Sequence, residues 1–401
     1  MGLPAPAGER WQLGHRPGLD GARGFAIALV LAGHALPSGF AAASVGVTLF
    51  FVLSGFLITS LLWEERALTG TVDLRDFYDR RIRRLVPAFV VVLAGVLLSM
   101  LAIGQPEQGL FNGLVAASYA GNWVLAGGTL LGPLSHTWSL AIEEQFYLVV
   151  PVAILVALRY LRAGQLAVLF VGLAAAIQIG RAWGWVNGVP LERLAYATEF
   201  QADGLLLGCA LAIVMHVRPF RLPAVTRPIA LGALIAVAFI VPDGPYYLFG
   251  NTFTALASTV LIAALVSPSN RDNVFENRVL VSLGLISYGL YLWHFPILWH
   301  LGITDARPYP GLAVAAIGIV MSLGVAVVSF LWVERRFQRS RAPTAVSDIA
   351  PGRETVPAWA VGNGVSPLPA VVLARTANEP ARRWRRRLPP RPPQEPFGRN
   401  A

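Results

Sequence analysis

The sequence predicts an all-α polytopic membrane protein of about ten transmembrane helices, with both termini cytoplasmic. Three observations predict it. The 401 residues are 55% hydrophobic and only 13% charged, too apolar for an ordinary soluble domain. Apolar windows of about 18 to 22 residues recur along the chain, the length a helix needs to cross a bilayer. The 32 basic residues are all arginine, and they gather in alternate connections between those windows and in the tail.

Residues 1–18 are rich in Pro and Gly, lack an apolar core, and read as a cytoplasmic segment rather than a cleavable signal peptide. The first window, 19–37, opens with Asp20 as a helix cap and carries Arg23 and His34. A second window, 45–63, is free of charge. It is followed by the polar stretch 64–84, which ends in DFYDRRIRR, and by a third window at 85–103. Further windows fall at 137–158, 164–181, 198–216, 228–242, 252–267, 280–300 and 312–333. Residues 104–136 are apolar but interrupted by Asn112, Asn122 and several glycines.

Arginine placement decides that interrupted stretch. With ten helices, arginines fall before the first window, in 66–84, at 159 and 162, at 218, 221 and 227, at 271 and 278, and after 334. The opposite loops hold only Arg193 and Arg307. That asymmetry is the positive-inside pattern, so 104–136 reads as a re-entrant or surface segment on the outer side. Residues 19–338 then form one membrane domain. Residues 339–401 form a basic Pro/Ala-rich tail expected to be disordered and cytoplasmic. Cys209 is the only cysteine, so no intrachain disulfide forms. The net charge of +10 suits topology and an anionic ligand rather than nucleic acid, because no soluble basic face is evident.

Polar residues inside such windows are costly and mark function by default. Arg23 and His34 are eleven positions apart. On a helix that is roughly 16 Å of rise and about three turns, so both lie on one face. The window at 137–158 starts outside with HTWSLAIEEQFY and carries Glu143 roughly 9 Å deep. A carboxylate level with an imidazole orients a general base, so Glu143 is the expected partner of His34. Glu144 points about 100° away and is expected at most to line the site. Packing of His34 as a polar residue in the bundle, or of the glutamates at a helix start, satisfies the same residues.

Arg80, Arg81, Arg83 and Arg84 include two pairs at i, i+3 spacing. Guanidinium forks so spaced suit phosphate oxygens, and they also serve as a topogenic cluster. Ser139 is either a nucleophile or, more simply, a helix cap. Trp138 and Trp123 suit interfacial anchoring. Asp203 is a site group or a cap. His294 and His300 lack zinc-type spacing and a third ligand, so they read as structural and no metal is expected.

These residues together resemble the acyltransferase 3 family of multi-pass membrane acyltransferases. The resemblance covers about residues 17–338. It rests on LDGARGFAIALVLAGH, FFVLSGFLI, RRIRRLVPA, the GNW containing Asn122, HTWSLAIEEQFYL and ISYGLYLWHFPI, in that order. It implies transfer of an acyl group, often acetyl, from cytoplasmic acyl-CoA to a hydroxyl of a carbohydrate or glycoconjugate across the membrane. No bound cofactor is implied, only acyl-CoA as donor substrate. His34 matches the family's arginine–ten residues–histidine pattern with Arg23. Arg81 and Arg84 match its Arg-x-x-Arg pattern, and Trp138, Ser139, Leu140 and Glu143 match its tryptophan–serine–leucine–glutamate pattern. Gln201 departs from it, since relatives often have arginine two residues before the aspartate matched by Asp203. The expected roles are therefore His34 and Glu143 in catalysis. Arg23 and the four clustered arginines hold acyl-CoA. Asn122, Trp138, Ser139, Glu144 and Asp203 line the site or meet the acceptor. The rival readings are a transporter or proton relay through Arg23, His34 and Glu143, and an acyltransferase for a small secondary metabolite.

Overall fold

The computed structural model describes residues 11–37, 41–267, 273–303 and 309–338. The expected disorder of the tail, and Arg271 and Arg307 of the topology argument, lie outside these residues. Among the described residues there is no β-strand, and every regular element is helical.

Helix α1 is Pro17–Ala35, with Pro17 at its first turn, where a missing N–H costs nothing. Helix α2, Ala42–Thr69, ends at Gly70, whose φ of 80° permits the left-handed stop. Helix α3, Leu74–Ala102, begins where Asp73 accepts the Asp76 amide N–H at 3.0 Å. The interrupted stretch becomes α4, Pro106–Ala117, and α5, Gly121–Ala126, then a 3₁₀ turn, Gly132–Thr137. None of these three is long enough to cross a bilayer.

Helix α6 is Trp138–Tyr160 and α7 is Ala163–Val186. Two short turns, α8 Leu191–Tyr196 and α9 Thr198–Gln201, lead into α10, Asp203–Val217. Then come α11, Thr226–Ile240, the turn α12, Asp243–Pro245, and α13, Asn251–Val266. The last elements used here are α14, Arg278–Leu285, α15, Ser287–His300, and α16, Leu312–Ser329.

Each of the ten expected windows coincides with helix, but among the described residues only six helical stretches, counting the 3₁₀ turn with α6 and residues 246–250 with α13, have the length and apolarity to span. The difference has three physical sources. Helices α10 and α11 have 15 residues each, about 22 Å, short of the ~30 Å hydrocarbon core. The window at 280–300 is two helices, α14 and α15, bent by 74°. Helix α1 carries Asp20 and Arg23 within its 19 residues.

Helix α2 is the axis of the bundle. Some 78% of its most apolar window is buried, against 22% in α7, whose side chains face outward as a lipid-exposed helix requires. Small residues let the backbones meet. A Cβ on Gly55 would lie 2.0 Å from the Leu205 carbonyl oxygen, and one on Gly208 would lie 2.2 Å from that of Val52. Any side chain there forces α2 and α10 apart, the close-approach logic of membrane helix pairs. Helix α1 packs against α2 and α14.

Candidate active site

A cavity of about 880 Å³ runs along α2, whose lining residues extend from Val47 to Leu68. Twenty-one steps make that roughly 32 Å of channel. At the Leu68 end it is walled by residues 11–16, Trp63, Glu64 and His216. There Glu64 accepts the Leu13 amide N–H at 2.5 Å and stands 3.4 Å from His216 Nε2, which ties the segment before α1 to α2.

Arg23, Arg81 and Arg84 all line the cavity. Arg23 donates to the Ser287 hydroxyl at 3.1 Å, at the first residue beyond the α14–α15 bend. Arg81 lies over the Tyr147 ring, 4.4 Å from its centroid. Among the described residues no carboxylate comes within 4.0 Å of these three guanidiniums. Arg80 and Arg83 are not among the walls. Arg80 is held by Asp76 and by Glu65, and Arg83 is exposed. The i, i+3 pair that enters the cavity is therefore Arg81 with Arg84.

Glu143 is also in the wall, but it does not orient His34. Its Oε1 accepts from Ser54 Oγ at 2.7 Å, and Ser54 in turn accepts from Tyr147 at 3.0 Å. Equal depth is the ground for pairing Glu143 with His34, and the depths differ: Ser54 lies eight residues, about 12 Å, down α2 from Gly46, which packs on Val30 one turn short of His34. The Glu143 carboxylate turns toward α2 and the arginines instead.

His34 meets a residue read from sequence as structural. His294 Nε2 lies 3.1 Å from His34 Nδ1, across 260 positions of chain. His136 joins them, its ring centroid 5.4 Å from that of His294. Phe295 packs against both His34 and His136 at 5.1 Å. His34 is half-buried, whereas His136 and His294 are buried.

Ser139 and Tyr291 stand between the cavity and this histidine cluster. Both line the cavity, and their hydroxyls are 2.5 Å apart. Tyr291 donates to the His136 carbonyl at 2.9 Å, so the Ser139 hydroxyl is the donor in the shorter contact. Ser139 is the second residue of α6 and makes no cap; Thr137 holds the cap position. The Tyr291 ring lies 5.4 Å from that of His294, so one side chain is wall to the channel and neighbour to the cluster. The α1 register agrees. Gly46, beside Val47 at the far end of the channel, packs on Ala26 and Val30. His34 is one turn, about 6 Å, beyond Val30.

Neither His34 nor the remaining expected site residues are cavity walls. Asn122 is buried; it donates to Tyr196 and Thr198 and accepts from Gln145. Trp138 packs on Phe51 and Tyr196 inside the bundle rather than standing as an interfacial anchor. Glu144 is half-buried. Asp203 makes a buried ion pair with Arg181 at 2.6 Å, and Gln201 bonds to Asn251 and to the Leu194 carbonyl. The guanidinium expected two residues before Asp203 is thus supplied from α7. Among the described residues no group of three or more His, Cys, Asp or Glu side chains is placed to hold a metal ion.

This is a multi-pass protein of the cell membrane, and it belongs to the acyltransferase 3 family, whose acyltransferase domain matches residues 16–331. Two similar proteins place it more closely. The O-acetyltransferase OatA of Staphylococcus aureus (strain NCTC 8325 / PS 47) is 32% identical over 343 residues, 79% of this chain and 56% of the relative. The peptidoglycan O-acetyltransferase OatA of Listeria monocytogenes serovar 1/2a is 31% identical over 357 residues, 82% of this chain and 57% of the relative. The chain spans a little over half the length of these curated relatives. No solved structure matches it.

Proposed function

We propose that this protein is a membrane O-acyltransferase. It moves an acyl group, acetyl by analogy with the names of its relatives, from acyl-CoA to a hydroxyl of a carbohydrate such as peptidoglycan. One observation carries the reading: a single channel connects three guanidiniums that have no carboxylate within 4.0 Å among the described residues to a hydroxyl partition that borders the His34 cluster.

In this reading the arginine end faces the cytoplasm, as the positive-inside pattern supports, and Arg23, Arg81 and Arg84 meet the CoA phosphates. The pantetheine arm follows α2 toward Ser139 and Tyr291. His34 takes the proton of the acceptor hydroxyl while the oxygen attacks the thioester carbon. The C–O bond forms, the C–S bond breaks, and the imidazolium returns the proton to the departing thiolate. Glu143 serves at the channel wall, where it offsets part of the positive charge of Arg81 and Arg23.

The test is acyl transfer by the purified full chain in lipid nanodiscs. Radiolabelled acetyl-CoA is supplied with soluble peptidoglycan fragments, and esterified carbohydrate is measured. Wild-type protein should yield alkali-labile acetyl esters. His34→Ala should lose at least 10²-fold in rate, the lower end of a general base's contribution, while still binding acetyl-CoA. Full turnover by His34→Ala would overturn the assignment of the base. No turnover by wild type on any carbohydrate, with solute uptake instead, would overturn the enzyme reading.

A further inference from the structure

We propose that His294 is a positioning residue: it fixes His34 as the Nδ1–H tautomer and so makes Nε2 of His34 the proton-accepting atom. The inference rests on the assignment of His34 as base and adds which nitrogen acts and what sets it.

The argument follows the hydrogen bonds outward from the backbone. His294 Nδ1 lies 2.7 Å from the Tyr291 carbonyl oxygen and 3.1 Å from that of Leu290. Carbonyl oxygens only accept, so Nδ1 of His294 must carry a proton. A neutral imidazole with its proton on Nδ1 has a lone pair on Nε2. That Nε2 is the atom 3.1 Å from His34 Nδ1. Two lone pairs facing each other at this distance repel, so His34 Nδ1 must be the donor. The proton of neutral His34 is then on Nδ1, and its Nε2 is free to accept.

The surroundings hold this arrangement. His294 is fully buried on α15, and Phe295 and His136 pack about the pair. Among the described residues no Asp or Glu is hydrogen-bonded or ion-paired to His34, His136 or His294. A buried imidazolium at position 294 would have no carboxylate to answer it, which favours the neutral ring on which the argument depends. His294 therefore takes the place that an acid occupies in a serine–histidine–aspartate arrangement, selecting the tautomer and the ring orientation. When His34 Nε2 takes the acceptor's proton, the Nδ1–H···Nε2 bond becomes charge-assisted and strengthens as the transition state forms.

The test reads the tautomer directly. Full-length protein with ¹⁵N-histidine in lipid bilayers is examined by solid-state NMR, and His34 signals are identified by their loss in His34→Gln. The expected wild-type spectrum shows a protonated Nδ1 and an unprotonated Nε2 for His34. In His294→Leu, which removes the side-chain acceptor and leaves the Val30 carbonyl beside the ring, the Nε2–H form should appear. In the same variant kcat for acyl transfer should fall about 10²-fold with KM for acetyl-CoA within twofold. His294→Gln, which keeps an oxygen near the place of Nε2, should restore most of kcat. A wild-type His34 protonated on Nε2 would overturn the inference, and so would a tautomer unchanged in His294→Leu. A wild-type protein with the expected tautomer but no acyl transfer would sustain the assignment of nitrogens and overturn the enzymatic reading instead.

Discussion

Two sets of arginines stand inside this helical bundle, and they differ in what answers their charge. Arg181 on α7 is fully buried and meets Asp203 at 2.6 Å. That carboxylate also accepts from Thr252 and from the Gly204 amide. Arg23, Arg81 and Arg84 instead share one cavity, and their recorded contacts are a hydroxyl and aromatic faces. A residue type alone therefore does not separate a structural cation from a ligand site. What separates them is whether the protein supplies the counter-charge or leaves room for something else to supply it. The three cavity arginines meet Asp20, Glu143 and Glu334 only at longer range, without an ion pair among the described residues, and they border the open volume that an anionic ligand requires.

The sharpest way to break that contrast is to remove the counter-charge where the protein supplies one. Asp203→Ala leaves Arg181 charged, buried and unpaired, which costs about 3 to 5 kcal/mol. Detergent-solubilised Asp203→Ala should melt many degrees below wild type and accumulate poorly in membranes. The double variant Arg181→Met with Asp203→Leu removes both charges and should recover most of that loss. Melting of the single variant within two degrees of wild type would mean that the pair is not the structural cation site.

The next largest effect belongs to the cavity. Arg81→Ala with Arg84→Ala removes two charge-assisted contacts to an anion, each contributing about 1.5 to 3 kcal/mol. The Kd for acetyl-CoA, measured by titration in nanodiscs, should rise about 100-fold or more, and raised salt should weaken wild-type binding in the same direction. The melting temperature of the apo protein should not fall, because among the described residues neither arginine is in an ion pair. Unchanged affinity would remove the phosphate role. A large loss of stability would erase the distinction from Arg181.

How much of this was legible in the sequence follows from the range of each interaction. Helical windows are local, so each of the ten hydropathy windows falls on helix. Hydropathy missed the 74° bend near Ile286, where only Gly284 marks the place. It also overran α10, because 15 and 19 residues differ little in composition, whereas the window 228–242 already has the 15 residues of α11. The stripe from Arg23 to His34 was legible because both lie on one helix with a fixed rise. The neighbours of His34 were not, because His294 is 260 positions away and His136 lies in a turn before α6. Depth counting sets Glu143 level with His34, but its partner Ser54 lies about 12 Å down α2 from the residue that packs on Val30, a turn short of His34. The available clue to His294 was its place in the motif ISYGLYLWHFPI, set aside because its spacing to His300 fitted no metal.

The smallest expected effect tests the finest part of the comparison, within the cluster of four arginines itself. Arg80 and Arg83 have the same spacing as Arg81 and Arg84, one residue out of phase. A shift of one position turns a side chain by about 100°, enough to move it from the cavity wall to the outer face of α3. Arg80 is there already held by Asp76 and Glu65, and Arg83 is exposed. An exposed charge near a phosphate still attracts it, but solvent and salt screen that attraction at 0.15 M ionic strength. Arg80→Ala with Arg83→Ala should therefore change the acetyl-CoA Kd by no more than about twofold at that ionic strength, and somewhat more at low salt. A loss as large as that of the Arg81 and Arg84 pair would mean that total charge, rather than the face of the helix, selects the donor. Partnership with the protein would then no longer distinguish one arginine from the next.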